Sequence, residues 1–338
     1  MKIDTIFDLA SLTKPLVTAP LVLQLADRGT VSLDDPACRY LPPMARFADG
    51  GVTVRHLLMH TSGLPAWSPV YVLARSRADV LRTIAETDPA YAPGSRVIYS
   101  CLGYIVLGLL LETVTGRTLD DLASQSLFEP LGLGDTGYGP RIDRERCAWT
   151  ECGTVYEQAS VAAAGLTFRG WRVKYIPGAV HDGNAWYAMG GISGNAGLFG
   201  TAHDVGILGQ MWLDRGRVGS TRVLREQTAA AATLDCTPGL NEARGLGWQI
   251  NRPPHNDTGT EASGPRSAGT QLSARAFGHT GFTGTSIWVD PTLDLVAVLL
   301  TNRVHPTVGD SAAVIRLRSS FHDAVATSLR DTAPGAPT

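Results

Sequence analysis

The chain has 338 residues, which is enough for one large fold with an inserted subdomain or for two domains. Hydrophobic residues make up 44% and charged residues 18%, a balance that excludes a disordered chain and predicts a soluble, folded protein. The formal net charge of -2 provides no basic field to hold a phosphate backbone, so we expect no nucleic-acid partner.

Helical patterns dominate the first half of the chain. Apolar residues recur at helical spacing from Ser11 to Arg28 and end at Gly29, which predicts one buried helix. The apolar run from Cys101 to Leu111 is about half of the ~20 residues that cross a bilayer, so it predicts a buried helix and no membrane span. Further helices are predicted at Val54–Met59, Ala78–Glu86, Cys101–Thr115 and Leu119–Phe128.

The second half of the chain has a different character. Residues 135–200 show no clear periodicity and predict loops that wall a cleft. Thr201 and Asp204 resemble a capping box, which indicates a helix over Val205–Trp212. The remaining patterns predict strands at Gly245–Ile250, Gly284–Val289 and Leu293–Thr301, a mobile loop at 253–270, an amphipathic helix at Ala312–Leu329 and a disordered tail at 331–338.

This order of elements predicts an α/β or α+β fold, in which an antiparallel sheet flanked by helices is interrupted by a helical subdomain. We expect a single domain over residues 1–338. Its sheet part comprises residues 1–44 and 235–330, and its mostly helical and loop subdomain comprises residues 45–234. The cleft between the two parts is the expected binding site.

Cysteine use and the N-terminal residues bear on the cellular compartment. The five cysteines are an odd number with no Cys-x-x-Cys spacing, so the sequence predicts neither a disulfide framework nor a zinc site. Residues Met1–Ala10 contain Asp4 and Asp8 and lack the apolar stretch of a signal peptide. We therefore expect reduced thiols and a cytoplasmic location.

Ser11 and Lys14 form the first candidate site. They lie at the start of the predicted helix, where the spacing of Ser-x-x-Lys puts a hydroxyl and an amine on one face. A serine hydroxyl becomes an effective nucleophile when a base takes its proton, and a lysine acts as that base when its surroundings lower its pKa. A helix-capping serine beside a solvated lysine accounts for the same residues, so this motif alone does not distinguish a catalytic from a structural role.

Two later motifs strengthen the catalytic hypothesis. Tyr99-Ser100-Cys101 follows a Pro-Gly turn and opens a predicted helix, which places a phenol at a helix start. His279-Thr280-Gly281 precedes a predicted strand, where the small residue lets a substrate approach the sheet edge. Each motif taken singly also fits a core or turn residue, but the ordered set of three motifs is not a chance pattern.

The complete set resembles the class C β-lactamase and penicillin-binding-protein-like serine hydrolases, a family that includes esterases and transacylases. The resemblance extends from Ile6 to His322, and it is also carried by Phe7–Pro15, Leu33–Pro36, His56–Pro65 and Pro130–Leu133. It implies a β-lactamase-like catalytic domain that acts through a covalent acyl-enzyme and needs no cofactor.

The resemblance also implies roles for individual residues. Ser11 is the acylated nucleophile, Lys14 is its base or proton shuttle, and Tyr99 is the second proton-transfer group. The backbone N–H groups of Ser11 and Phe282 form the oxyanion hole. The strand motif contributes substrate-binding residues, namely His279, Thr280 and Gly281.

Two positions depart from the family pattern. Cys101 stands where the family usually has Asn or Asp, whose side chain binds the acylamino group of the substrate. A thiol is a weak donor and acceptor, so Cys101 offers poor recognition of a β-lactam or peptide amide, and we expect it to pack rather than to act as a nucleophile. His279 replaces the lysine of many members, and an imidazole biases Tyr99 towards phenolate less strongly than an ammonium does.

Two more segments resemble a cleft-lining region of these hydrolases. They are His181–Ala185 and Gly190–Phe199, and they make His181 and Asn195 candidate substrate-binding residues. A hydrogen bond that pins a loop is the alternative role for His181. Ser62 lies in a helix end followed by a glycine turn, and we expect it to be structural.

The leading hypothesis is a serine hydrolase that cleaves a small ester or amide through an acyl-enzyme on Ser11. One alternative is an acyltransferase, or transacylase, that passes the acyl group to an amine or alcohol in small-molecule biosynthesis. The other is a D,D-peptidase-like or non-catalytic penicillin-binding protein. The sequence lacks Gly-x-Ser-x-Gly, His-Glu-x-x-His and P-loop motifs, which disfavours other hydrolases, metalloenzymes and nucleotide enzymes. The expected partner is a small-molecule ester, amide or lactam, and the oligomeric state is left open.

The position of the nucleophile adds one structural expectation. Members of the family usually place several tens of residues before it, including the first strands of the central sheet, whereas here Ser11 is preceded by ten residues. We therefore expect a sheet without its N-terminal strands and with an unpaired edge.

Overall fold

The computed structural model describes residues 1–47, 51–252 and 266–332. The predicted loop at 253–270 lies outside this part of the chain up to residue 265, and the predicted tail lies outside it from residue 333. The α-helices are α1 (Ala19–Asp27), α2 (Val54–Leu58), α3 (Val70–Leu73), α4 (Val80–Ala85), α5 (Cys101–Thr115), α6 (Leu119–Ala123), α7 (Glu129–Leu131), α8 (Val155–Ala163), α9 (Ala202–Leu213), α10 (Glu226–Ala232) and α11 (Ser311–Thr332).

The described strands form antiparallel sheets, as the sequence predicted. They are β1 (Phe7–Asp8), β2 (Gly137–Tyr138), β3 (Leu198–Gly200), β4 (Arg217–Val218), β5 (Thr221–Arg222), β6 (Gln249–Ile250), β7 (Phe277–Thr280), β8 (Ser286–Asp290) and β9 (Leu295–Leu299). The largest sheet has the order β6-β7-β8-β9, a small sheet has the order β1-β3-β2, and β4 pairs with β5. Within the described residues β9 is therefore an edge strand of the largest sheet.

Helices α9 and α11 cover opposite faces of the largest sheet. Successive side chains of a strand point to opposite faces, and β8 shows this directly. Ile287 belongs to the main core, where a side chain added at Gly209 of α9 would meet it. Trp288, the next residue, packs in a second core with Ala326 of α11. The sheet is thus the middle layer of a helix–sheet–helix arrangement.

Helix α5 is the central helix of the main core, and its bounds are those that the sequence predicted. Its apolar residues are buried around most of its circumference. Gly108 lets another segment pass closely, since a Cβ there would lie 2.9 Å from the backbone nitrogen of Gly194. In the described part of the chain, no single helix is long and apolar enough to cross a membrane. α5 and the Leu119–Leu131 segment pass that test only as a pair, with a bend of 80° between them.

The prediction of one regular helix from Ser11 to Arg28 is wrong in its first half. The chain instead forms a 3₁₀ turn at Ala10–Leu12, a π-helical turn at Lys14–Thr18 and only then α1. Pro15 and Pro20 lack the N–H groups that a continuous α-helix would donate to residues four positions earlier, so the hydrogen-bond register changes around them.

Two other element predictions need correction. Residues 135–200 are not loops throughout, because they contain α8, β2 and β3. The sequence of α8 does not show the amphipathic pattern of a helix, because the apolar side chains of Val155 and Tyr156 are exposed. The strand predicted at Gly245–Ile250 is limited to β6, because Gly247 has a φ of 97°, which an extended strand does not allow.

Candidate active site

A strained turn after β1 presents Ser11. Ala10 has a φ of 47°, in the left-handed region that a residue with a side chain rarely adopts. Its N–H donates to Asp8 Oδ1 at 2.8 Å, and its carbonyl oxygen accepts from Thr13 Oγ1 at 2.6 Å. Neighbouring hydrogen bonds thus hold the turn in this conformation and fix the position of Ser11.

Lys14 is the closest polar partner of the Ser11 hydroxyl. Its side chain is fully buried, and Nζ donates to Ser11 Oγ at 3.0 Å and to the carbonyl oxygen of Asn195 at 2.9 Å. The Cys101 Sγ lies 3.7 Å from the same nitrogen. The amine of Lys14 is therefore fixed beside the Ser11 hydroxyl by its second hydrogen bond, to Asn195.

Tyr99 stands next to this pair at the start of α5. Ser100 caps the helix by accepting from the N–H of Gly103, and its own N–H donates to His60 Nδ1 at 3.0 Å. The Tyr99 ring lies 4.6 Å from the His60 ring and 4.9 Å from Lys14 Nζ. Its buried hydroxyl has no hydrogen-bond partner among the described residues, so it can bond to a substrate.

His279 closes the other side of the site at the end of β7. Its Nδ1 lies 2.8 Å from the Thr280 carbonyl oxygen, which can only accept, so Nδ1 carries the proton. Nε2 of the neutral ring is then an acceptor, and it has no partner in the described part of the chain. The ring centres of His279 and Tyr99 are 5.7 Å apart.

Gly281 brings the loop after β7 against the Ala10–Leu12 turn, which carries the predicted nucleophile Ser11 and is called the nucleophile turn below. A Cβ at this position would lie 2.6 Å from the carbonyl oxygen of Leu9 and would also collide with Thr285 Oγ1, so only glycine fits. The next residue, Phe282, lines one cavity together with Ser11. The backbone N–H groups of these two residues are the predicted oxyanion-hole donors, and that role stays a prediction.

These groups border a cavity of about 540 Å³. Ser11, Tyr99 and His279 lie on its wall, together with three guanidinium groups, those of Arg244, Arg303 and Arg318. The volume suits a small molecule. Across the described chain no group of three His, Cys, Asp or Glu side chains is placed to hold a metal ion.

Lys14 and Tyr99, the two predicted proton-transfer residues, hold their protons at neutral pH. Burial raises the pKa of Tyr99, and the nearby Lys14 ammonium offsets this only in part. Burial lowers the pKa of Lys14, but the interactions of its amine with Cys101, Tyr99 and Asp182 favour the ammonium form and outweigh burial, so the pKa of Lys14 is raised. A free base is therefore present in a minority of molecules, and its fraction grows as the pH rises.

The neighbouring groups of the site are uncharged. Burial, followed by the positive charges of Arg244 and Lys14, holds the pKa of His60 and that of His279 well below the usual range. Burial also raises the pKa of the Cys101 thiol. Both imidazoles and the thiol are therefore neutral at pH 7.

The other predicted substrate-binding residues are engaged with the protein. His181 Nε2 lies 2.8 Å from Glu151 Oε1, and the His181 ring stacks on Phe282 with 5.3 Å between centres. The Asn195 side chain donates to Asp182 Oδ2 at 3.1 Å and accepts from Ser193. These contacts let His181 support Phe282, and they let Asn195 fix the carbonyl group that holds Lys14.

Sequence reasoning missed three residues that touch this machinery, namely His60, Glu151 and Arg244. His60 lies two residues before Ser62, in the helix end expected to be structural, and Glu151 lies in a region without periodicity. Arg244 precedes a Gly-Leu-Gly-Trp run that gives no sign of a charged group beside Tyr99. Each acts on a residue at least 30 positions away, so local spacing carries no signal for it.

The chain is similar to several known proteins. A family model described as Beta-lactamase matches residues 1–319. The chain is 33% identical over 324 residues to a protein of Escherichia coli K12 described as "Putative D-alanyl-D-alanine carboxypeptidase", and the match covers 90% of this chain and 71% of that protein.

Solved structures show the same fold. A β-lactamase from Mycobacterium bovis is similar with a TM-score of 0.63 and 25% identity, over 97% of this chain and 89% of that one. A family VIII carboxylesterase is similar with a TM-score of 0.67 and 22% identity, over 96% of this chain and 84% of that one. The second likeness concerns the fold alone.

Proposed function

The chain belongs to the beta-lactamase family, and we propose that it is a serine hydrolase that cleaves a small ester or amide through an acyl-enzyme on Ser11. The observation that carries the proposal is the 3.0 Å contact between Lys14 Nζ and Ser11 Oγ, buried at the wall of a cavity. A hydroxyl held against an amine in this way can lose its proton as it attacks a carbonyl carbon.

The proposed reaction has two halves. In the first, Ser11 Oγ bonds to the carbonyl carbon while its proton passes to Lys14 or Tyr99, and the N–H groups of Ser11 and Phe282 bind the oxygen that becomes negative. The carbon–leaving group bond then breaks, and the leaving group takes up a proton from Tyr99. In the second half, water loses a proton to the same groups as its oxygen bonds to the carbonyl carbon. The bond between that carbon and Ser11 Oγ then breaks, Ser11 Oγ takes up the proton, and the acid is released.

Esters are the preferred substrate class in this proposal. The side chain that binds a peptide or lactam acylamino group in the family is replaced by Cys101, whose thiol lies beside Lys14. Because a thiol binds an amide poorly, the acyl group is expected to be small and to lack an acylamino substituent. The carboxypeptidase activity named for the Escherichia coli relative is therefore the less favoured assignment.

Transfer to an amine or alcohol shares the same acyl-enzyme and differs only in the acceptor. The two outcomes are separated by the products formed from one ester in the presence of a competing amine. A hydrolase gives mostly free acid, whereas a transacylase gives mostly amide.

A cytoplasmic location is part of the proposal. All five cysteines are free, and they lie in the described part of the chain, as expected for thiols in a reducing compartment. Fractionation of cells that produce the protein tests this location.

The proposed hydrolysis is tested with a chromogenic short-chain ester such as p-nitrophenyl butyrate. Ser11→Ala is expected to abolish turnover and to leave the unfolding temperature nearly unchanged. The matched control is Ser62→Ala, which removes a buried serine that does not line the cavity and is expected to retain activity. Undiminished hydrolysis by Ser11→Ala would remove Ser11 from the mechanism.

A further inference from the structure

We propose that Arg244 supplies the permanent positive charge that makes Tyr99 able to act as a base, which makes Arg244 a positioning residue for the reaction. The inference rests on the proposed function, because it concerns the same proton-transfer step. Many family members have a lysine at the position of His279, and its ammonium is absent here. The inference names Arg244 as the group that supplies the positive charge instead.

Arg244 is fixed beside the Tyr99 ring. It is 5% exposed, and its Cζ lies 5.5 Å from the centre of that ring, within the range of a cation–π interaction. Its N–H donates to Thr237 Oγ1 at 2.8 Å, and its carbonyl oxygen accepts from the N–H of Cys236 at 2.7 Å. The backbone that carries the guanidinium is therefore held on both sides.

The guanidinium is only partly satisfied by the protein. One nitrogen, Nη2, bonds to Glu242 Oε1 at 2.6 Å, and the same oxygen accepts from Gln249 Nε2 at 3.2 Å. Arg244 Nε is buried and has no partner in the described part of the chain. A buried donor without a partner lowers the stability of the fold, and a role for its charge in the site explains why it is present.

Several polar, aromatic and charged groups lie near Tyr99, and they come from different elements of the fold. They are Ser11 and Lys14 before α1, His60 after α2, Cys101 and Tyr104 in α5, His279 in β7 and Arg244 before β6. Both imidazoles are neutral at pH 7, so Lys14 and Arg244 are the cations in this described set.

Lys14 cannot supply a constant charge. It exchanges protons with Ser11 during the reaction, and whenever it acts as a base it is neutral. Arginine stays protonated throughout the accessible pH range. When Lys14 is neutral, Arg244 is therefore the cation that remains against the Tyr99 ring, and it favours the phenolate over the phenol.

The test is the pH dependence of kcat/KM for an uncharged ester between pH 6 and pH 10. Arg244→Gln, which is shorter, polar and neutral, is expected to move the ascending limb of the profile up by about one pH unit and to lower kcat/KM at pH 7 roughly tenfold. The loss should shrink at high pH. Arg244→Lys should restore most of the wild-type profile.

Two further variants fix the sign of the effect. Glu242→Gln removes the carboxylate that offsets the guanidinium, so the ascending limb of its profile is expected to move to lower pH. Arg77→Ala removes a partly exposed guanidinium that is also paired with one carboxylate, that of Glu112, and should leave the profile unchanged. Opposite shifts in Arg244→Gln and Glu242→Gln cannot come from a merely structural defect.

Other outcomes would overturn the inference. If Arg244→Gln lowers kcat/KM by the same factor at every pH, Arg244 has a structural role. If the variant raises KM for anionic esters and leaves the ascending limb for neutral esters unmoved, Arg244 is a substrate-binding residue. A fluorophosphonate probe separates this result from failure of the proposed function. If the wild type is labelled on Ser11 and the limb does not move in Arg244→Gln, only the inference on Arg244 fails. If Ser11 is never labelled, both fail.

Discussion

The buried amine of Lys14 donates to the carbonyl oxygen of Asn195 at 2.9 Å, and this bond points the amine at Ser11. The two residues are 181 positions apart, so the contact exists only in the folded chain. It links the nucleophile turn to the segment that crosses α5 at Gly108. The base is thereby oriented by the core of the protein.

Removal of the amine should stop the acylation step. Lys14→Met keeps most of the side-chain volume and leaves no buried charge, so we expect a folded protein. Its rate of acylation should fall by about 10²- to 10⁴-fold, the usual contribution of a positioned acid or base. Stopped-flow measurement of the first turnover with a p-nitrophenyl ester checks this, with thermal unfolding as the control for folding. Wild-type acylation rates in Lys14→Met would assign the base to another group.

The wild-type enzyme should become faster as the pH rises. The pKa of Tyr99 is raised by burial, and the pKa of Lys14 is raised by its interactions with Cys101, Tyr99 and Asp182, so the free-base form increases from pH 7 upwards. We expect kcat/KM for a neutral ester to increase through pH 9, after correction for spontaneous hydrolysis. A maximum near pH 6 would mean that a neutral histidine, not this pair, takes the proton.

Gly281 should be intolerant of a side chain. A Cβ there would meet the carbonyl oxygen of Leu9 at 2.6 Å and displace the Phe282 N–H from the nucleophile turn. Gly281→Ala is expected to lower kcat by about 10²- to 10³-fold, as when an oxyanion-hole donor is removed. Steady-state kinetics measures this loss, and an unchanged kcat would exclude the Phe282 N–H from the oxyanion hole.

Gly206→Ala is the matched control for that substitution. This glycine lies inside α9 with open space around its Cα, and alanine favours a helix by about 1 kcal/mol. The control should be as active as the wild type and slightly more stable.

Glu157 should make the stability of the fold depend on pH. Burial, followed by the charge of Asp182, raises its pKa from 4.5 to about 7, although the Gly183 N–H and the Tyr71 hydroxyl both donate to it. The folded state thus keeps a proton that the unfolded chain loses. This contribution to stability is complete below pH 4.5 and is lost as the pH rises through 7.

Glu157→Gln removes the titration and keeps a similar shape. It should unfold at nearly the wild-type temperature at pH 5 and should be more stable than the wild type at pH 8, by ~2–3 kcal/mol. Calorimetry at the two pH values measures the difference, with the exposed Glu145→Gln as a control that shows no such change. An equal offset at both pH values would show that Glu157 does not titrate in this range.

The sequence was most informative where chemistry is local or carried by a recognisable motif. The Ser11 and Lys14 spacing predicts their contact, and that contact forms even though the chain there is a 3₁₀ and a π-helical turn instead of a regular helix. The bounds of α5 follow from the apolar run Cys101–Leu111, from the serine cap before it and from Gly116 after it. The antiparallel sheet follows from short strand-like runs joined by turns.

What the sequence left open depends on contacts between distant segments. Arg244 reaches Tyr99 across 145 positions, and no spacing rule connects them. The Glu151 contact with His181 depends on how two aperiodic segments fold against each other. The π-helical turn depends on Pro15 and Pro20, which change the hydrogen-bond register of the helix. The periodicity of apolar residues gives no information on that register.

The central claim, a covalent acyl-enzyme on Ser11, is tested most directly by mass. The intact protein is treated with a fluorophosphonate probe, and the modified peptide is then sequenced. The account predicts one adduct per chain, located on Ser11, and none in Ser11→Ala. An adduct on another residue, or continued ester turnover by an unlabelled Ser11→Ala protein, would contradict it.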